Sequence, residues 1–92
     1  MIGSFTHRGL KRFFEHDDSR RLPQKMVDRI RLILARLATA KTIEDMDIHS
    51  YKLHQLKGDR KGVWSVTVRG NWRITFRFED KQALDVDLED YH

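Results

Sequence analysis

Ninety-two residues with 18 Lys and Arg against 14 Asp and Glu carry a formal net charge of +4, enough for one domain spanning 1–92 with a modest core. Cysteine is absent, so neither a disulfide framework nor a thiolate metal site is available, and no apolar run approaches the ~18 residues of a membrane span. The first residues lack the hydrophobic region of a secretory signal, and the basic balance favours polyanionic partners such as nucleic acid, so a cytoplasmic protein is expected.

Ile2 to Phe5 can form a short edge or pairing strand, with Thr6 placed to cap the helix that follows. His7 to Glu15 carries Leu10, Phe13 and Phe14 at helical spacing and predicts a first helix. His16 to Arg21 has no apolar residue and reads as a loop, and Pro23 suits the first turn of the next helix. From Gln24 to Ala38, Met26, Val27, Ile30, Ile33, Leu34 and Leu37 form the stripe of an amphipathic helix packed on a core. Thr42-Ile43-Glu44-Asp45 resembles a capping box with Asp in place of Glu, predicting one helical turn before Met46. Tyr51 to His54 alternates, with Tyr51 and Leu53 on one side and Lys52 and His54 on the other, and Gln55 to Gly62 is a charged loop bracketed by glycines.

The strongest pattern runs from Trp64 to Phe78. Trp64, Val66 and Val68 share one parity and Trp72, Ile74, Phe76 and Phe78 that of the returning strand, while Ser65, Thr67, Arg73, Thr75 and Arg77 face the other way. Keeping Val68 opposite Trp72 demands an odd loop, so a three-residue turn Arg69-Gly70-Asn71 with a left-handed Asn71 is predicted. A second turn lies around Asp80-Lys81-Gln82, after which Leu84, Val86 and Leu88 point inward and Asp85, Asp87 and Glu89 outward. The fold class is therefore α+β, an antiparallel sheet with two N-terminal helices packed on one face.

His54, Lys57, Arg60, Arg69 and Arg73 fall on the outward parity or in loops beside it, so cations suited to phosphate and a titratable imidazole can converge. A charged outward face is also how antiparallel sheets stay soluble. Asp90 and His92 inherit the inward parity of Leu88, so joining them to Arg73 requires a twist, a bulge or a strand that overruns the core. None of the five histidines forms a His-x-x-x-His pair, the glycines make no phosphate loop, and no Gly-x-Ser-x-Gly elbow occurs. A metal site, nucleoside-triphosphate hydrolysis and serine-hydrolase chemistry are thus not expected, and no cofactor is implied.

The run Tyr51-Lys52-Leu53-His54-Gln55-Leu56-Lys57-Gly58-Asp59-Arg60, then Trp64-Ser65-Val66, Asn71-Trp72-Arg73-Ile74-Thr75-Phe76 and the closing Asp90-Tyr91-His92 together resemble the HigB branch of the RelE-type toxins of bacterial toxin–antitoxin pairs. The similarity spans essentially the full length and departs most at Glu15 to Leu22. It implies a small RelE-like fold and a metal-independent endoribonuclease that cuts messenger RNA in the A site of the translating ribosome. A helix-turn-helix antitoxin of the HigA type would hold it inactive, and the free toxin would be a monomer. It also implies that His54, Lys57, Arg73, Asp90, Tyr91 and His92 form the active site, with Lys52, Arg60, Lys61, Arg69 and Arg77 contacting messenger or ribosomal RNA. The competing expectation is a non-catalytic RNA- or ribosome-binding module that uses the same cations.

Overall fold

The computed structural model describes residues 1–90, so Tyr91 and His92 lie outside the described residues. In chain order it contains α1 (Arg8–His16), α2 (Val27–Thr39), β1 (His54–Gln55), β2 (Trp64–Arg69), β3 (Trp72–Glu79) and β4 (Gln82–Asp90). Single 3-10 turns occur at Gln24–Met26, Ile43–Met46, His49–Tyr51 and Gly58–Arg60. The four strands pair antiparallel in the order β1-β2-β3-β4, which is the α+β arrangement the sequence predicts. Among the described residues, no helix is long and apolar enough to cross a membrane.

The α2 stripe behaves as its spacing requires: Met26, Ile30, Ile33, Leu34 and Leu37 are buried and join Val66, Ile74, Phe76, Val86 and Leu88 of the sheet in one core. Leu10 and Phe13 of α1 enter the same core, whereas Phe14 is 42% exposed and rests against Phe5 with ring centroids 5.7 Å apart. The Thr42 capping box is present, with Asp45 Oδ2 accepting from the Lys41 and Thr42 amides at 2.8 and 3.1 Å.

The start of the chain departs from expectation in its cap. Ile2 and Phe5 bridge in parallel to Ala83 and Val86, and the Thr6 and His7 amides both donate to the Val86 carbonyl, so Thr6 is committed to the β4 edge. His7 caps α1 instead, its Nδ1 accepting from the Leu10 amide at 3.1 Å.

Both hairpins solve the parity problem with bulges rather than with longer turns. Thr67 pairs with Arg73 but Arg69 pairs with Trp72, leaving Val68 as an extra residue and Gly70-Asn71 as a two-residue turn. The positive φ falls on Gly70 (56°) and not on Asn71, as the first position of a II′-type turn requires. Asp80 and Lys81, at φ 50° and 64°, make a two-residue turn of the I′ pattern, so Gln82 already belongs to β4. A second bulge at Asp85 (φ 54°), between the partners of Thr75 and Arg77, shifts parity within β4. Ala83 therefore takes the inward place expected of Leu84, which is half-buried opposite Arg77. The bulge also turns the Asp85 and Val86 amides toward Ser4, to Oγ at 2.8 Å and to the carbonyl at 3.1 Å.

Tyr51 to His54 is not a continuous strand. Tyr51 ends a 3-10 turn and Lys52 is left-handed (φ 49°), yet Tyr51 is buried and His54 exposed as the alternation expects.

The loop after α1 is held by Asp18, whose carboxylate accepts from the Arg20 amide and guanidinium and from Arg12 Nε at 2.9–3.2 Å. The hydrogen bond from the Arg20 guanidinium, joined by those from the Arg20 amide and Arg12, holds this carboxyl well below its ordinary range. A carboxyl depressed in the folded state contributes stability that is present above its unfolded pKa and lost as pH falls through the folded one. Asp18→Asn is thus expected to lower Tm at pH 6 and to keep most of that deficit at pH 3, because the folded carboxyl is still ionised there, measured by thermal denaturation across that range.

Candidate active site

β1 and β2 pair His54 with Ser65, and β2 and β3 pair Ser65 with Thr75, so His54, Ser65, Thr75 and Asp87 form one cross-strand row on the outward sheet face. The next row is Thr67, Arg73 and Glu89. The sheet thus places His54 and Arg73 on one face with β2 between them, their backbones roughly 12 Å apart, two strand spacings across and two residues along.

His54 is exposed and its Nδ1 lies 3.2 Å from the Lys52 carbonyl oxygen, a contact that constrains the ring. Lys57 precedes the Gly58–Arg60 turn and is exposed. His54, Gln55, Leu56, Lys57 and Arg60 line a groove of about 270 Å³. Leu56 anchors its floor, 8% exposed, with its amide bonded to the Val63 carbonyl at 2.8 Å.

Arg60 leans across the outward face onto Glu89 in a two-pronged grip, Nη1 donating to Oε1 at 2.8 Å and Nη2 to Oε2. Thr75 Oγ1 donates to the same Oε2 at 2.6 Å. The Arg60 hydrogen bond, partly opposed by burial, holds the Glu89 carboxyl below its ordinary range. Arg73 is half-buried and its Nη1 donates to the Gly70 carbonyl at 2.7 Å, which ties the guanidinium to the hairpin turn.

Asp90 pairs with Trp72 and keeps the inward parity of Leu88, with no bulge between them. It clears the core by overrunning it: Leu88 is buried and Asp90 is exposed. There it lines a second groove of about 420 Å³ with Lys25, Arg69, Asn71 and Trp72 among others. The described residues therefore bring His54, Lys57 and Arg60 together, set Arg73 on the same face, and put Asp90 with Arg69 around the sheet's end. Lys52 and Lys61 are exposed at the borders of the loop, and Arg77 lies exposed on β3 with Nε 4.0 Å from Asp85. The positions of Tyr91 and His92 fall outside the described residues.

Two participants escaped the sequence reading. Glu89 and Thr75 share the outward parity of Arg73, so their placement follows from alternation, but the Arg60–Glu89 bond joins residues 29 positions apart, and Thr75 reaches Glu89 from 14 positions away, so neither has a local signal. Arg29 lies off the apolar stripe of α2, yet its guanidinium donates to the Ser50 carbonyl at 2.9 Å and to the Thr67 carbonyl of β2 at 3.4 Å, and lies over the Tyr51 ring at 4.8 Å.

A family model described as the RelE-like toxin of the type II toxin–antitoxin system HigB matches residues 3–92. The chain is 50% identical over 92 residues, all of both chains, to Endoribonuclease HigB of Proteus vulgaris. Its fold is similar to that of the YoeB/ParE toxin from Agrobacterium tumefaciens (TM-score 0.68, 17% identity, all of both chains covered). It is also similar to a chain of the heterotetrameric YoeB-YefM toxin-antitoxin complex from Staphylococcus aureus (TM-score 0.62, 19% identity, 100% of this chain and 98% of that chain).

Proposed function

The chain belongs to the HigB-like family of RelE-like toxins of type II toxin–antitoxin systems, and from that membership we propose that it is an endoribonuclease toxin that cuts messenger RNA in the A site of the translating ribosome. The observation that carries this reading is the groove in which an imidazole, an ammonium and a guanidinium meet, His54, Lys57 and Arg60, on the sheet face that also presents Arg73.

Cutting RNA without a metal uses the neighbouring 2′-hydroxyl as nucleophile. A base takes its proton as the oxygen attacks phosphorus, cations stabilise the charge that gathers on the phosphorane, and an acid protonates the departing 5′-oxygen. His92 and His54 divide the two proton transfers, with the order left to experiment, or one of them holds phosphate. Lys57 and Arg73 stabilise the phosphorane. Asp90 orients an imidazole, and Tyr91 stacks on a base or bonds to phosphate. Lys52, Lys61, Arg69 and Arg77 contact messenger or ribosomal RNA, while Arg60 lines the groove with its guanidinium bonded to Glu89.

In this reading the whole chain acts as one toxin domain in the cytoplasm, a monomer when free and silenced by a helix-turn-helix antitoxin. The family's pairing with antitoxins supports that partner.

Induced expression followed by mapping of messenger ends tests the reading. Cuts confined to translated stretches, with cyclic-phosphate 3′ ends and 5′-hydroxyl partners, are the expected result. Arrested translation with intact messenger would instead establish the non-catalytic ribosome binder.

A further inference from the structure

We propose that Glu89 is a positioning residue of this site: gripped by Arg60 and Thr75, it pins the loop that carries Lys57 to β4 immediately before Asp90. The inference rests on the nuclease reading and names a device within that same site.

The loop needs such a tie. Gly58 and Gly62 adopt φ of 68° and 96°; a Cβ at Gly58 would meet nothing within 4 Å and one at Gly62 only the tip of the Arg77 side chain at 3.1 Å, so packing holds the local chain loosely. Its own hydrogen bonds, Lys61 amide to Gly58 carbonyl at 3.1 Å and Val63 amide to Arg60 carbonyl at 3.0 Å, shape the turn without fastening it to the sheet. Leu56 anchors only the loop's start. The Arg60–Glu89 pair reaches from the loop to the last strand, and a planar guanidinium holding both carboxylate oxygens fixes orientation as well as distance.

Glu89 is also placed where its charge matters. It sits across from Arg73 in the β3–β4 register, and its side chain is 25% exposed. An unneutralised carboxylate there would repel the phosphate that Arg73 and Lys57 are proposed to hold. Arg60 cancels that charge and keeps the carboxyl ionised, which makes Glu89 a poor proton acceptor and fits it for holding rather than for proton transfer. Arg60 accordingly acts through Glu89, where the sequence alone suggested a direct RNA contact.

The test uses purified full-length protein, programmed ribosomes under single-turnover conditions, and amide hydrogen exchange on the protein alone. Glu89→Gln is expected to slow the maximal cleavage rate roughly 10- to 100-fold while leaving the half-saturating ribosome concentration unchanged. Exchange at the Lys61 and Val63 amides should quicken. Arg60→Ala should lose at least as much, since it also leaves the Glu89 carboxylate unneutralised, and the double variant should lose no more than Arg60→Ala, because both break one grip. Should Glu89→Gln fail to fold, Thr75→Val removes one hydrogen bond to Glu89 at nearly constant shape and should slow cleavage in the same sense by less. A Glu89→Gln protein that cuts at the wild-type rate, or binds ribosomes more tightly while Arg60→Ala binds weakly with a shallower salt dependence, overturns the clamp and makes Arg60 a phosphate contact. A wild-type protein that cuts nothing overturns the nuclease reading itself, a failure visible before any variant is compared.

Discussion

Alanine at His92 is expected to lower single-turnover cleavage of ribosome-bound messenger by roughly 10²-fold or more, with ribosome capture unchanged. Two protons must move when a 2′-hydroxyl displaces a 5′-oxygen, and an imidazole is the side chain whose charge changes nearest to working pH. The chain has five histidines, of which His7 is occupied as the cap of α1 and His16 ends that helix on the exposed surface. His49 is exposed in a 3-10 turn, so His54 in its groove and His92 are the two that the proposed chemistry employs. His54→Ala should then produce a loss of similar order, and the double variant should lose far less than the product of the singles. A wild-type rate that rises and falls with pH should keep one limb in each single variant, and which limb survives assigns acid and base. Unchanged single-turnover cleavage by His92→Ala would remove it from proton transfer, leaving His54 with Lys57 as the groups to test next.

The parts of the molecule that read clearly in the sequence are those whose cause is local. The α2 stripe, the Thr42 capping box and the apolar face built on Val66, Ile74 and Phe76 each follow from spacing within a few residues, and each is where periodicity placed it. Val68 is buried as alternation requires, but a bulge there replaces the three-residue turn, and alternation breaks at Asp85, because a bulge costs one unpaired residue and spares the turn, and a two-residue turn with the strands' own twist outcompetes a longer loop. The β4 bulge has a non-local beneficiary: it aims two amides at Ser4, some 80 residues earlier, which no window of sequence can reveal. The same limit applies to the site. Residue type and parity single out His54, Lys57 and Arg73, but whether Arg60 meets phosphate or carboxylate depends on a chain crossing between a loop and a distant strand.

Phe76→Ala should produce the largest loss of stability, about 3–5 kcal/mol, and should silence the toxin without touching its chemistry. Phe76 is 1% exposed at the middle of β3, across from Trp64 and facing the bulged stretch of β4, with the α2 stripe above it. No neighbour is free to fill the space. Bulges on both flanking pairs, at Val68 and Asp85, already fix the path of the strands, so the cavity should persist rather than collapse. Against a total of about 5–15 kcal/mol for an ordinary domain, that loss unfolds a marginal one and lowers Tm by roughly 12 °C or more. Arg73 lies three positions earlier on the same strand, so the two substitutions separate stability from function. Arg73→Ala should cost cleavage at nearly constant Tm, because among the described residues its guanidinium bonds the Gly70 and Trp72 carbonyls alone, at the hairpin end. Phe76→Ala should cost cleavage only in proportion to the fraction unfolded, so cooling or added antitoxin should restore the folded form. Urea denaturation of both variants decides it: a shift of less than about 1 kcal/mol for Phe76→Ala would mean that the sheet face built around it is not the core on which the site stands.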